Sequence, residues 1–243
     1  MNNQIPIICI NSIHDKDKLD YINKYCPHSF SVFSTINIHS LTDEEILFIK
    51  YIKNNRLYNY VIQNLTHYRI WNTIINAKLI IEDNIFFSKK FTYYINNINI
   101  PDECDILYIG GQFVPDYHIN VDTLWPCHKL SPYTFDLYYD KLYNCGNVYK
   151  RKSPLSNNLL DLHTWCIPIS RHISSYIITP KGATKLLSLA NNNKEEFISI
   201  PLNSFICSNG REGNLNIYEH FPHITHNKHG KTVNLYDFKL LNI

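Results

Sequence analysis

Glu82, Asp83 and Asn84 stand in succession between two apolar runs, Leu79-Ile80-Ile81 before them and Ile85-Phe86-Phe87 after. Two carboxylates and an amide are hard oxygen donors. Such donors suit a divalent cation, and a cation held there neutralises a nucleoside diphosphate by bridging its phosphate oxygens. A solvated turn closing a strand would draw on the same residue types, so the surroundings decide. The run before the acids is rich in β-branched residues and reads as a strand covered on both faces. Its C-terminal end is the edge at which open α/β sheets bind ligands.

Other residues with chemistry in them are more scattered. His67 and Trp71 fall one helical turn apart, so His67 either approaches the acids or is a core histidine hydrogen-bonded under Trp71. Gly110 and Gly111 close the stretch that starts at Asp105, where backbone can come near a ligand or turn sharply. His220, His223, His226 and His229 recur every third residue, a spacing no α-helix gathers on one face and Pro222 interrupts. Zinc sites favour other spacings. Lys181 and Gly182 serve a helix start rather than a phosphate. As proton acceptors, Asp136, Asp140, Asp161, Glu212 and Glu219 are all available, with none singled out.

The elements that must position these groups alternate. Ile7 to Ile10 reads as a strand, 15–24 as a helix and His28 to Phe33 as a second strand. Thr42-Asp43-Glu44-Glu45 is a capping box that opens a helix. Ile62, Leu65, Trp71, Ile74 and Ile75 predict a further helix over 58–76, which feeds the acid-bearing strand. A helix capped by Ser88 and ended by Pro101 follows, then the strand of Asp105 to Gly111. The order β-α-β-α-α-β-α-β predicts a doubly wound α/β sheet. Prolines and aromatics break the pattern over 112–170, which predicts an irregular, β-rich insert with a hairpin over 138–149. Tyr133 to Tyr149 would there stack on an acceptor sugar or pack the insert. Thr179-Pro180 then caps another helix, 197–200 is a short element, and 215–218 is the last strand expected.

Composition sets outer limits. With 243 residues, 44% hydrophobic and 18% charged, the chain predicts one globular domain over 1–243, in which 220–243 is a histidine-containing tail. A net charge of +2 argues against a nucleic-acid partner. Seven cysteines without CxxC spacing predict reduced thiols. No leader and no run near the roughly 20 apolar residues of a membrane span is read, which predicts a cytoplasmic protein.

Five stretches, in order, carry a resemblance that covers nearly the whole chain. Ile8-Cys9-Ile10-Asn11 resembles a first-strand motif, and Thr66-His67 with Ile70-Trp71 a Ser-His-x-x-x-Trp helix. Ile80 to Asn84 resembles Ile-x-Glu-Asp-Asp, Asp105 to Gly110 resembles Asp-x-x-Tyr-Leu-Gly, and Tyr176 to Ala183 resembles Tyr-x-Ile-Ser-x-x-Gly-Ala. Together they resemble glycosyltransferase family 25, which includes lipopolysaccharide galactosyltransferases and collagen β-galactosyltransferases. The resemblance implies a GT-A-like nucleotide-sugar fold and an inverting hexose transfer from a UDP-sugar to a glycan or hydroxylysine-type protein acceptor. It implies Mn2+ as cofactor, with Asp83, Asn84 and His226 as ligands. It also implies donor contacts from Ile10, Asn11, Ser12, His67, Glu82, Asp83, Asn84 and Gly110. On this reading the acids emerge beside the tip of the first strand and face the late Gly-Ala helix. The chain departs from the family twice, with Asn84 and Asn203 where acids are usual. An amide gives a metal an oxygen without charge and cannot act as a base, which leaves a catalytically weak, binding-only relative as the alternative.

Overall fold

The computed structural model describes residues 5–11, 16–49, 58–87, 91–111, 147–150, 174–221 and 224–227. Its strands are β1 (Ile7–Asn11), β2 (Phe30–Ser34), β3 (Lys78–Glu82), β4 (Ile85–Phe87), β5 (Ile106–Gly111), β6 (Asn147–Lys150), β7 (Ser175–Ile178), β8 (Ile217–Phe221) and β9 (Thr225–Asn227). Its helices are α1 (Lys16–Tyr25), α2 (Asp43–Ile49), α3 (Tyr58–Trp71), α4 (Phe91–Asn97), α5 (Pro180–Asn192), α6 (Lys194–Ser199) and α7 (Leu202–Arg211). The strands form a single sheet in the order β2-β1-β3-β7-β5-β8-β6, with β9 bridging β4 and β5.

This is a mixed α/β architecture. β1 runs parallel to β2 and β3, and β5 runs parallel to β8. β7 lies between β3 and β5 and is antiparallel to both. It follows that β2, β1, β3, β5 and β8 point the same way, and their C-terminal ends share one edge. Glu82, Asn11 and Gly110 end on that edge, next to the start of β7 at Ser175.

Strand alternation divides the interior in two. Ile8, Ile10, Ile80, Ile106, Tyr108, Tyr176 and Ile178 face one core with α2, α3, α5, α6 and α7, which contribute Phe48, Leu65, Trp71, Leu186, Phe197 and Phe205. Ile7, Cys9, Leu79, Ile81, Leu107, Ile109 and Ile177 face the other with Ile22 of α1 and Phe91, Tyr94 and Ile95 of α4. Apolar residues at consecutive positions of β3 are therefore needed on both sides, which is why its sequence shows a run rather than an alternation.

Local signals set the helix ends. The Thr42 N–H donates to Glu45 Oε2 at 2.8 Å and the Glu45 N–H to Thr42 Oγ1 at 3.3 Å, closing the capping box. Thr179 Oγ1 accepts from the Gly182 N–H at 3.0 Å, and Pro180 opens α5. Gly182 is needed for contact, since a Cβ there would collide with the Asp105 backbone. Several boundaries differ from those expected: α3 stops at Trp71, where Thr73 and Ile74 turn back on Ile70 and Trp71. The element at 197–200 is the helix α6, and β8 runs to Phe221.

The expected hairpin over 138–149 and most of 112–170 lie outside the described residues, as do Ser12, Ser88, His223 and His229. Within the expected tail, His220 belongs to β8 and 225–227 form β9, which is built into the sheet. Cys9, Cys26, Cys104 and Cys207 are free thiols. Among the described residues, no helix is long and apolar enough to cross a membrane.

Candidate functional site

The tip of β3 is clamped by its neighbours. The Glu82 N–H donates to Ser174 O at 2.8 Å and the Asp83 N–H to Ile10 O at 3.1 Å, so both acids leave the sheet at the shared edge. Because successive side chains alternate, the two acids cannot point the same way. Asp83 turns to the α1 side, where Asn11 Nδ2 donates to its Oδ2 at 2.9 Å. Lys18 Nζ lies 4.0 Å from the other carboxylate oxygen. Glu82 turns to the α3 side, where Gln63 Nε2 donates to its Oε1 at 3.1 Å.

The electrostatics of the two acids differ accordingly. Burial pushes Glu82 up from its ordinary 4.5 to about 7, and the Asp83 charge pushes the same way. Hydrogen bonds from Gln63 and the Asn84 amide, with the more distant Lys18, pull in the opposite sense without cancelling it. Asn84 is 9% exposed, and its Oδ1 is buried without a hydrogen-bond partner. Leaving such an oxygen empty costs about 1–3 kcal/mol, so the position favours a ligand that donates to it.

Beneath Glu82 lies a closed polar group. Trp71 Nε1 donates to the Tyr176 hydroxyl at 3.0 Å, and that hydroxyl shares a hydrogen bond with His67 Nδ1 at 2.7 Å. His67 is 1% exposed and stacks on the Tyr176 ring. Burial alone pulls its pKa down to about 3, so the ring is neutral. His67 thus takes the core arrangement of the two weighed from sequence.

Other expected site residues fall as follows. Ile10 and Asn11 flank Asp83 at the β1 tip. Gly110 lies on the same edge, where a Cβ would strike Ser175 and Thr225, which is a packing reason for glycine. The β9 backbone brings His226 opposite Phe86 and Gly111, two positions along β4 from Asn84. His220 is buried in β8 against the Tyr94 ring, so these two histidines serve different places. Glu212 follows α7 at the far edge, where it accepts from Ser208 and Asn214. Glu219 sits in β8, paired in register with Tyr108 and Tyr149. Asp136, Asp140 and Asp161 lie outside the described residues.

One expectation is overturned. The Gly-Ala start of α5 does not face the acids, because β7 is antiparallel to β3 and pairs Ile178 with Lys78. The residues that open α5 therefore sit at the opposite edge of the sheet, against Asp105.

Among the described residues, no group of three or more His, Cys, Asp and Glu side chains is placed to hold a metal. The strand tip offers the Asp83 carboxylate on the α1 side and the unpartnered Asn84 Oδ1 on the Glu82 side, so of the expected ligands Asp83 is the one that fits a cation keeping several waters and taking its other ligands from phosphate oxygens.

Sequence reading missed Gln63, Lys18 and Tyr176 as members of this group. Gln63 precedes His67 by four residues on α3, so helical periodicity alone placed it on the His67 face. Lys18 and Tyr176 gave no comparable signal, since each reaches its partner across a long sequence gap.

No protein-family model matches the chain, and no curated protein does. Solved structures do match. One is described as "Crystal structure of a glycosyltransferase involved in the glycosylation of the major capsid of PBCV-1". It is 8% identical with a TM-score of 0.39, over 98% of this chain and 100% of that one. A likeness at that score assigns neither a fold family nor an activity to this chain.

Proposed function

We propose that this chain is an inverting glycosyltransferase with a GT-A-type fold that moves a hexose from a UDP-sugar to a glycan or hydroxylysine-type protein acceptor. The observation that carries this reading is the junction of the β1 and β3 tips, where Asn11 fixes Asp83 while Glu82 and Asn84 turn to the other face. Polar groups converging at the C-terminal edge of a mostly parallel sheet are the usual setting of a nucleotide site.

In this reading the Asp83 carboxylate would hold a divalent cation, Mn2+ in the first instance, with Asn84 turned to the other face of the tip. A cation held by Asp83 would supply charge stabilisation for the departing diphosphate. Asn11 keeps the Asp83 carboxylate oriented, and Lys18 adds a positive charge on the same side. Ile10 and Asn11 border the nucleotide, and His226, carried on β9, is the further ligand proposed.

A second reading, a binding module without turnover, is favoured by the two amides that replace acids. Asn84 brings no charge, and Asn203 Oδ1 lies in α7 accepting from the Cys207 thiol at 3.4 Å. Incubation of the purified protein with a panel of UDP-sugars and Mn2+, following UDP release, separates the two. Release with at least one donor, lost in Asp83→Ala, supports the transferase. Calorimetric UDP binding with no release from any donor supports the binding module, and neither binding nor release removes both.

A further inference from the structure

On the α1 side of the strand tip, a cationic side chain stands where the acid motif itself supplies little charge. Of the three polar residues only Asp83 turns to this side, since Glu82 accepts from Gln63 and the Asn84 amide donates to Glu82. Asp83 is 8% exposed, and Asn11 Nδ2 holds its Oδ2 at 2.9 Å. Lys18, on the first turn of α1, places Nζ 4.0 Å from the other oxygen, beyond hydrogen-bond length, with its side chain 35% exposed. One turn further on, Ile22 is buried and fixes that face of α1 against the sheet. The Lys18 charge is felt at Glu82 as well, so the ammonium lies near the edge that both acids share.

We propose that the Lys18 ammonium binds the diphosphate of a nucleotide directly, so that this chain takes up a nucleoside diphosphate without needing a divalent cation. The inference rests on the nucleotide reading above. It separates uptake of the diphosphate, assigned to Lys18, from stabilisation of its departure, which stays with a cation at Asp83. A site that depends on a divalent cation for uptake needs carboxylate charge to spare. Here one carboxylate faces one ammonium, so the charge left for a further cation is largely offset, and that cation would also meet repulsion from Lys18. A diphosphate meets the opposite balance. Lysine is a point charge that phosphate oxygens can approach from several directions, and its partly exposed stem can follow them. Asn84 fits the same division, since an amide at the tip adds no negative charge to repel an anion.

The test is calorimetric binding of UDP, once in EDTA and once in Mn2+, to the wild-type protein, to Lys18→Met and to Lys18→Arg. Methionine keeps an apolar stem of similar length and removes the charge, and arginine keeps the charge. Wild type is expected to bind UDP in EDTA, with Mn2+ tightening the complex by less than about threefold. Lys18→Met is expected to lose about tenfold or more in EDTA, and Lys18→Arg to stay within about threefold of wild type, with melting temperatures confirming that both fold. A lysine that only packed its stem along α1 would be replaced by methionine without loss. That result overturns the inference, as do equal losses in the two variants. Wild-type binding that appears only with Mn2+ overturns it without any variant, and leaves nucleotide binding intact. No binding of UDP by wild type in either buffer removes the nucleotide reading, and this inference with it.

Discussion

Two acids at opposite edges of the sheet, the half-buried Glu82 and the buried Asp105, are handled in opposite ways. Asp105 is fully buried at the start of β5, where its Oδ2 accepts from Lys185 Nζ at 2.5 Å and from the Asn216 N–H at 2.8 Å. It ties β5 to α5 and to the approach of β8. Glu82 at the far edge receives only neutral amides close by and is pushed up to about 7 by burial. A structural acid is given a cation and a backbone donor, whereas an acid left under-compensated at a strand tip keeps its affinity for something else. The clasp holds the fold, and the tip holds its charge in reserve.

The sharpest break of that contrast is Asp105→Ala. It leaves the Asn216 N–H without its acceptor and Lys185 without its partner, at an expected cost of about 3 kcal/mol, read from urea unfolding. A loss near zero would mean that Lys185 reaches solvent freely and the clasp is decorative. Tyr176→Phe probes the layer under Glu82. It strands Trp71 Nε1 and His67 Nδ1 in the core, and about 2 kcal/mol of stability should go with the hydroxyl.

Glu82→Gln should move stability the other way. The folded pKa of about 7 stands above the ordinary 4.5, so between those values the folded chain keeps a proton that the unfolded chain has released. Wild-type stability therefore falls as pH rises across that window, and the penalty is absent below it. The variant escapes the penalty and should melt a few degrees higher than wild type at pH 8, about 2–4 °C per kcal/mol, and at the same temperature at pH 4. Matching curves at both pH values would show Glu82 to be as well compensated as Asp105. The smallest effect is expected for Thr179→Ala, which removes the α5 cap and a hydrogen bond to Cys104 O at the Asp105 edge, for about 1 kcal/mol in the same unfolding assay.

Much of this architecture was legible from residue order. The capping box at Thr42, the Thr179-Pro180 helix start and most of the succession of elements from β1 to β5 follow from local patterns, with the short β4 and a 3-10 turn at Ile38–Ser40 unforeseen. The strand end at Glu82 was legible too, because a β-branched run followed by three polar residues has few other uses. The placement of the Gly-Ala helix was not. Nothing between 174 and 183 says which neighbours β7 will choose or in which direction, and its antiparallel insertion between β3 and β5 sends α5 to the far edge.

By itself the sequence determined where strands and helices begin and which residue types gather at the β3 tip, since those depend on periodicity, caps and chain stiffness within a few residues. Only the tertiary structure decided that Glu82 belongs to Gln63 and Asp83 to Asn11 and Lys18. Those partners stand 19, 72 and 65 positions away, and packing in two separate cores, not local preference, brings them to the same edge.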